Sequence, residues 1–114
     1  MYEYKAKLDR VIDGDTVDCF IDLGFNINVK ERVRLKGIDT PETRTRDLEE
    51  KAKGLAAKER VEELFDGVEE FYIKTELDKK GKYGRILGTI FLPEHNDTSL
   101  NDILIQEGHA EVYT

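Results

Sequence analysis

The chain turns and enters a strand within residues 13–22, which read Asp13-Gly14-Asp15-Thr16-Val17-Asp18-Cys19-Phe20-Ile21-Asp22. A glycine between two aspartates is a turn signal, since glycine adopts positive φ freely and aspartate caps its own backbone. Val17, Cys19 and Ile21 then alternate with their neighbours at the period of two expected of a strand. The same alternation, at Tyr4, Ala6 and Leu8, precedes the turn. We therefore predict two strands joined at residues 13–15.

The strand pattern continues past this pair. A second turn is predicted at Leu23-Gly24-Phe25-Asn26, followed by a third strand that carries Ile27, Val29, Val33 and Leu35. A bulge near Lys30–Glu31 is one option for this strand. Pro41 ends it, because proline cannot donate to a ladder. Strand, turn, strand, turn, strand is the pattern of a meander.

The following segment predicts a helix from about Asp47 to Asp66. Its second half has an apolar stripe at helical spacing, and Asp66-Gly67 is typical of a helix end; the stripe residues are Ala57, Val61, Leu64 and Phe65. Residues 44–54 lack a clean stripe, so they fit either a loop or a frayed helix start.

Two more strands and a short helix are predicted towards the C-terminus. Val68, Phe71 and Ile73 mark the fourth strand, residues 86–92 the fifth, and a polar loop at 78–81 lies between them. Ser99 would cap a helix whose buried face carries Leu100, Ile103 and Leu104 and which ends at Gly108. Five strands with a helix after the third match the OB-fold pattern. We predict a mainly β, α+β fold: a five-stranded OB-fold barrel with about two helices, forming one domain over residues 1–114.

Charge is the main compositional feature. Asp and Glu outnumber Lys and Arg by 25 to 18, giving a net charge of −7, whereas proteins that bind polyanions usually present basic surfaces. The basic residues do cluster, in residues 30–46 and 79–85. These clusters fit either patches for a polyanion or ordinary solvated surface charge.

The remaining composition bears on where in or outside the cell the protein is located. The single cysteine, Cys19, cannot form an internal disulfide, and no apolar run approaches the roughly 20 residues of a membrane span. The first residues show no signal-peptide pattern. We expect no membrane association and a cytoplasmic protein, or a secreted one if a leader has been removed.

Several short pieces together supply what phosphodiester hydrolysis needs. Asp15 and Asp39 are carboxylates beside turn residues, the ligands that hard cations prefer. Arg34 and Arg85 can donate to a phosphate, and Glu42 can orient or deprotonate a water. Each piece also has an ordinary structural reading: a turn, a strand residue, a helix-capping segment or a hairpin. Only their joint order and spacing favours the chemistry.

That joint pattern resembles the thermonuclease (staphylococcal-nuclease) family. The resemblance runs from about Lys7 to Val112, nearly the whole chain. The blocks that carry it are Asp13-Gly14-Asp15-Thr16-Val17, Arg34-Leu35-Lys36-Gly37-Ile38-Asp39-Thr40-Pro41-Glu42-Thr43, Lys82-Tyr83-Gly84-Arg85 and Asn101-Asp102-Ile103-Leu104-Ile105-Gln106-Glu107-Gly108-His109-Ala110. The resemblance implies a calcium-dependent phosphodiesterase that cleaves single-stranded or locally opened DNA and RNA. Strict sequence specificity is not expected, and the products would carry 3′-phosphate ends.

The resemblance also implies a role for each site residue. Asp15 and Asp39 would bind Ca²⁺ through their carboxylates and Thr40 through its backbone carbonyl, while Asp13 would support these ligands without touching the metal. Arg34 and Arg85 would hold the scissile phosphate, with Glu42 acting on the attacking water. Binding of the rest of the substrate would fall to Lys82, Tyr83 and Tyr113. A zinc site is not expected, since His95 and His109 lie outside the blocks that carry the ligands.

Some features depart from the family pattern. The chain is acidic where the secreted members are basic, and longer members continue into a third helix beyond the equivalent of Thr114. Counted from Gly108, Tyr113 is one position out of the family register. The alternative function is a catalytically inactive nucleic-acid-binding OB-fold module, although the five charged positions such modules lose are all present. We expect a monomer.

Overall fold

The computed structural model of the chain describes residues 2–77, 85–95 and 97–113. Its elements in chain order are β1 (Tyr2–Asp13), β2 (Thr16–Asp22), β3 (Asn28–Leu35), β4 (Ile38–Asp39), α1 (Leu48–Phe65), β5 (Phe71–Leu77), β6 (Ile86–Phe91), α2 (Leu100–Gln106) and β7 (Glu111–Val112). Neither of the helices in this part of the chain is long and apolar enough to cross a bilayer.

Five of the strands close into a barrel in the order β1-β2-β3-β6-β5. Neighbours are antiparallel except β3 and β6, which run parallel and close the barrel. The core fills this barrel with inward-facing apolar side chains, among them Val17, Val33, Leu35, Phe71, Ile73 and Ile90. The predicted five-stranded α+β barrel with two helices is confirmed. The small sheet of β4 and β7 was not predicted.

The irregularities of the first three strands differ from the prediction. The bulge suggested near Lys30–Glu31 is wrong, because β2 and β3 pair in unbroken register from Thr16↔Arg34 to Asp22↔Asn28. The register shifts instead lie in β1, between Leu8 and Arg10 and again before Asp13. An extra residue reverses the side-chain alternation at that point. It therefore allows Leu8 to pack against the core while Arg10, two positions later, is exposed.

The turn between β2 and β3 projects apolar side chains into solvent. Phe25 and Asn26 both have positive φ, and the Phe25 side chain is 97% exposed. Leu23 and Ile27 are exposed beside it, so Ile27 belongs to the turn and not to the predicted third strand.

Helix α1 begins one residue after Asp47, whose carboxylate accepts hydrogen bonds from the backbone N–H groups of Glu49 and Glu50. The segment 44–54, for which a loop and a helix start were both open, is therefore a loop up to Asp47 and helical from Leu48 onwards. Gly67, with φ of 76°, follows the last turn as predicted. Val68 lies in the turn before β5 and packs against the core, outside the strand assigned to it.

Helix α2 is capped by Ser99, whose side chain accepts a hydrogen bond from the N–H of Asp102 at 3.0 Å. Its buried Asn101 binds three backbone groups of other segments. The amide nitrogen donates to the carbonyls of Lys36 (2.8 Å) and Gly88 (3.1 Å), and the amide oxygen accepts from the N–H of Ile90. Asn101 thus ties α2 to β6 and to the chain that follows β3.

Candidate phosphodiesterase site

One open cavity of about 530 Å³ lies where the β1–β2 turn, the end of β3 and the segment after β4 meet. We call it the central cavity. Most of the predicted site residues line it, namely Asp13, Asp15, Arg34, Asp39, Thr40, Glu42, Arg85 and Tyr113. Lys82 and Tyr83, the other two predicted site residues, lie outside the described residues, as does the loop predicted at 78–81.

Asp15 contacts several groups around this cavity. Its Oδ2 atom lies 2.5 Å from Nη1 of Arg34 and accepts a hydrogen bond from the Thr40 N–H at 3.2 Å. Its Oδ1 atom accepts from the Thr16 hydroxyl at 3.0 Å. The Asp15 carbonyl accepts from the Leu35 N–H, which binds the turn to the end of β3.

The charge of Asp15 follows from these contacts. Burial alone would raise the pKa of its carboxyl group, because burial disfavours the charged form. The hydrogen bond and the positive charge of Arg34, with the donors of Thr40 and Thr16, outweigh burial and lower the pKa. Asp15 is therefore a carboxylate at neutral pH.

Arg34 bridges two carboxylates. Besides the contact with Asp15, its Nη2 lies 3.3 Å from Oδ1 of Asp39 and donates to the Ile38 carbonyl at 3.2 Å. The Arg34 side chain is only 17% exposed, whereas that of Asp39 is 57% exposed. The guanidinium carbon lies 5.8 Å from the centre of the Tyr113 ring, within the range of a cation–π contact.

Tyr113 reaches this position through the unpredicted small sheet. Ile38 pairs with Val112 and Asp39 with Glu111, and the Tyr113 N–H donates to the Gly37 carbonyl at 2.9 Å. Counted from Gly108, Tyr113 is one position out of the family register. The pairing across this small sheet nevertheless places it beside Arg34.

Helix α1 contacts the β1–β2 turn and the segment after β4 through its smallest residues, a feature that was not predicted from the sequence. A Cβ atom on Gly54 would lie 2.6 Å from the carbonyl oxygens of both Pro41 and Glu42. A Cβ on Gly14, in the β1–β2 turn, would lie 2.8 Å from the Cβ of Ala57. Gly54 and Ala57 share one face of α1, so this face contacts both segments. Glycine within a helix destabilises it, which is the signal that could have identified Gly54.

The residues fit a hard divalent cation by their chemistry. The carboxylates of Asp15 and Asp39 and the oxygens of Thr40 are all hard donors. The Thr40 hydroxyl oxygen is also buried without a hydrogen-bond partner among the described residues. In this same part of the chain, no three His, Cys, Asp or Glu side chains are grouped as metal ligands. A cation here would need backbone, water or substrate oxygens to complete its shell.

Two further cavities flank the central one. The acidic cavity, about 650 Å³, shares Asp39, Thr40, Pro41 and Glu42 with it. Its other lining groups include Asp47, Glu49, Glu50, Glu111, Lys53 and His109. His109, set apart from the ligand blocks by sequence, therefore lies beside the Asp39–Glu42 segment. The second flanking cavity, about 370 Å³, shares Asp13, Thr16 and Arg44 with the central cavity.

Comparison with known proteins agrees with this arrangement. Residues 32–114 match the model of the family described as staphylococcal nuclease homologue. The chain belongs to this family. Asp13 and Asp15 precede the matched segment, but alignments with relatives cover nearly the whole chain.

Three relatives are informative. The SPbeta prophage-derived endonuclease YokF of Bacillus subtilis is 36% identical over 94% of this chain and 33% of its own length. Endonuclease YncB of the same organism is 33% identical over 94% of this chain and 47% of its own length. An uncharacterised protein of Methanocaldococcus jannaschii is 33% identical over 96% of this chain and 59% of its own length. The chain thus spans between a third and three-fifths of these relatives.

Proposed function

We propose that this chain is a calcium-dependent phosphodiesterase that cleaves DNA and RNA without strict sequence specificity and leaves 3′-phosphate ends. The observation that carries the proposal is the meeting of Asp15, Arg34, Asp39, Glu42 and Arg85 around one open cavity. Family membership and relatives named as endonucleases support the same reaction class.

The proposed roles follow from position and chemistry. Asp15 and Asp39, with the Thr40 carbonyl, would hold Ca²⁺, and Asp13 would support them from the cavity wall. When bound, the cation supplies positive charge at the phosphoryl oxygens. Arg34 and Arg85 donate to those same oxygens, where negative charge builds up in the transition state.

Glu42 is exposed at the mouth of the central cavity, where a water can reach it. It accepts a proton as the water oxygen forms a bond to phosphorus. The bond from phosphorus to the 5′ oxygen breaks, and that oxygen takes a proton from solvent, which leaves the phosphate on the 3′ side. Tyr113, packed near Arg34, would border the substrate, and Lys82 and Tyr83 are proposed to bind its adjacent phosphate.

We propose that the protein contacts the phosphate backbone of its nucleic-acid substrate and does not recognise the bases. Contacts to phosphates carry no base information, and the charged groups of the central cavity suit phosphates. A single-stranded or locally opened strand, bound by a monomer, is the substrate that we propose.

Cleavage of an end-labelled single-stranded DNA at low salt tests this function, with calcium and then with excess chelator. We expect cutting in calcium alone, with products that a polymerase extends only after phosphatase treatment. Glu42→Gln should slow cutting by at least about 10²-fold, the usual contribution of a general base. Glu94→Gln removes an exposed carboxylate elsewhere and should cut like the wild type.

The rival function has a distinct outcome. A wild-type protein that binds the strand but leaves it whole in calcium, magnesium and manganese would be a binding-only module. Cutting that persists in excess chelator would contradict the metal requirement and leave the nuclease assignment standing.

A further inference from the structure

The cavity beside Asp13 and Thr16 is basic. It lies between β1, β3 and α1, and its charged lining residues are Arg10, Asp13, Arg32, Arg44 and Lys58. We call it the basic cavity. Four cations in one concavity are unusual on a chain whose net charge is −7, and nothing in the proposed reaction uses Arg10, Arg32 or Lys58.

Two of the cations are fixed in place by a buried carboxylate. Asp18 of β2 pairs in register with Arg10 of β1 and Arg32 of β3. The Asp18 side chain is 6% exposed and lies 2.8 Å from Nε of Arg32 and 3.4 Å from Nε of Arg10. The hydrogen bond from Arg32 lowers the pKa of Asp18, so the carboxylate stays charged. Both arginine side chains remain more than half exposed, and each guanidinium has further N–H donors for another anion.

The other two cations have no counter-charge in the part of the chain that the structure describes. The side chains of Arg44 and Lys58 form no ion pair or hydrogen bond within residues 2–77, 85–95 and 97–113. Four positive charges therefore face two negative ones, Asp13 and Asp18. A concave surface with excess positive charge concentrates anions from solution.

The two flanking cavities have opposite charge and share no lining residue. On the acidic side, six carboxylates face Lys53 and His109. A polyanion that extends from the central cavity is repelled on that side and attracted on the other. Arg44 lines both the central and the basic cavity, so the route between them is continuous.

We propose that the basic cavity binds a phosphate of the same polynucleotide strand, one step along the strand from the phosphate in the central cavity, on the side opposite to the phosphate proposed for Lys82 and Tyr83. This site rests on the proposed function only for the identity of the neighbouring phosphate. The basic cavity explains how an acidic protein can bind a polyanion. The nucleic-acid strand would follow one path, from Arg34 past Arg44 to Arg32 and Lys58.

Binding in excess chelator tests the proposal without cleavage. A fluorescently labelled 12-nucleotide single-stranded DNA would be titrated with wild type, Lys58→Gln and Lys5→Gln over a range of salt concentrations. We expect Lys58→Gln to weaken binding on the order of tenfold at low salt. It should also reduce the slope of log affinity against log salt by about 0.7, the value for one lost phosphate contact on a single strand. Lys5, exposed towards the other end of β1, gives the same change of charge away from the cavity.

A second measurement addresses the extended strand. For wild type and Lys58→Gln, kcat/KM would be compared on the 12-mer and on a nucleoside nitrophenyl phosphodiester. We expect the ratio of the two values to fall in Lys58→Gln, because only the long substrate reaches the basic cavity. Lys58 is half-exposed and its side chain has no ion-pair partner among the described residues, so matching thermal midpoints are expected and would show that the variant is folded.

Each outcome of the binding measurements either supports or overturns the proposed phosphate site in the basic cavity. Equal affinity and salt slope in Lys58→Gln and Lys5→Gln would overturn the basic-cavity site, whether or not the protein cuts DNA. A lower slope in Lys58→Gln from a protein that cuts nothing would uphold the site and overturn the nuclease. If inorganic phosphate alone competes at micromolar concentration, the cavity is a free-phosphate site and the strand path is wrong.

Discussion

The Oδ2 atom of Asp15 lies 2.5 Å from Nη1 of Arg34, so the predicted metal ligand and the predicted phosphate donor are partners in one ion pair. Both groups are largely buried, and a buried charge is stable only with a partner. Arg34 donates to the same carboxylates that we propose to hold the cation. Its N–H groups therefore become available to a phosphate when those carboxylates gain another positive partner.

Arg34→Lys tests the geometry of this pair. Lysine keeps the charge but loses the planar fork that reaches Asp15 and Asp39 together. We expect cleavage to fall by about 10²-fold to 10³-fold, the cost of losing one donor to transition-state charge. Arg46→Lys, at an exposed position, is the matched control and should cut normally. A variant Arg34→Lys that retains full activity would show that charge alone suffices.

Acid stability reports on Asp15. Its pKa is lowered in the folded protein, so its contribution to stability is fully present above the unfolded value of about 3.9 and is lost as pH falls through the lower folded value. We expect Asp15→Asn to be less stable than wild type at pH 6. The difference in free energy of unfolding should shrink as the pH falls below about 4, measured by urea denaturation. A difference that is constant with pH would mean that ionisation of Asp15 is not its cause.

Gly54→Ala should disturb the geometry of the site without stabilising the protein. Alanine favours a helix interior by about 1 kcal/mol over glycine, yet its Cβ would lie 2.6 Å from two backbone carbonyl oxygens. We expect no gain in thermal stability and a loss of cleavage of more than about tenfold, because displacement of Glu42 misplaces its carboxylate. Ala56→Gly, on the exposed face of the same helix, should lose about 1 kcal/mol of stability and keep its activity.

Asn101→Ala should destabilise the fold. The change leaves the Lys36 carbonyl and the Ile90 N–H without the partner that Asn101 provides. Each buried polar group left unpaired costs about 1–3 kcal/mol, so we expect a loss of about 2–4 kcal/mol in urea denaturation. Asn28→Ala, at the exposed start of β3, should stay within about 0.5 kcal/mol of wild type.

Phe25→Asn should stabilise the protein. Phe25 has φ of 53°, a left-handed conformation that costs most residues about 1–2 kcal/mol and that asparagine tolerates better. Because the side chain is almost fully exposed, little packing is lost. We expect a gain of up to about 1 kcal/mol with unchanged cleavage. A loss of stability would show that the exposed ring makes a contact that matters in solution.

Much of the fold was predictable because its signals are local. The alternation through Val17, Cys19 and Ile21, the turn at Asp13–Asp15 and the end of α1 shortly before Gly67 each depend on residues close in sequence. The candidate site residues were also found by their order along the chain. Their chemical roles remain predictions, to be decided by the experiments above.

The sequence by itself determined the barrel's strands, the two helices and the identity of the charged residues that meet. Only the tertiary structure decided which of those charges face one another. The bulges of β1 that leave Arg10 exposed, the contact of Gly54 with Glu42 and the pairing of β7 that carries Tyr113 to Arg34 all join segments distant in sequence. The physical reason is that strand register and close packing depend on both partners at once. The flanking acidic and basic cavities arise in the same way, from charges that no single segment brings together.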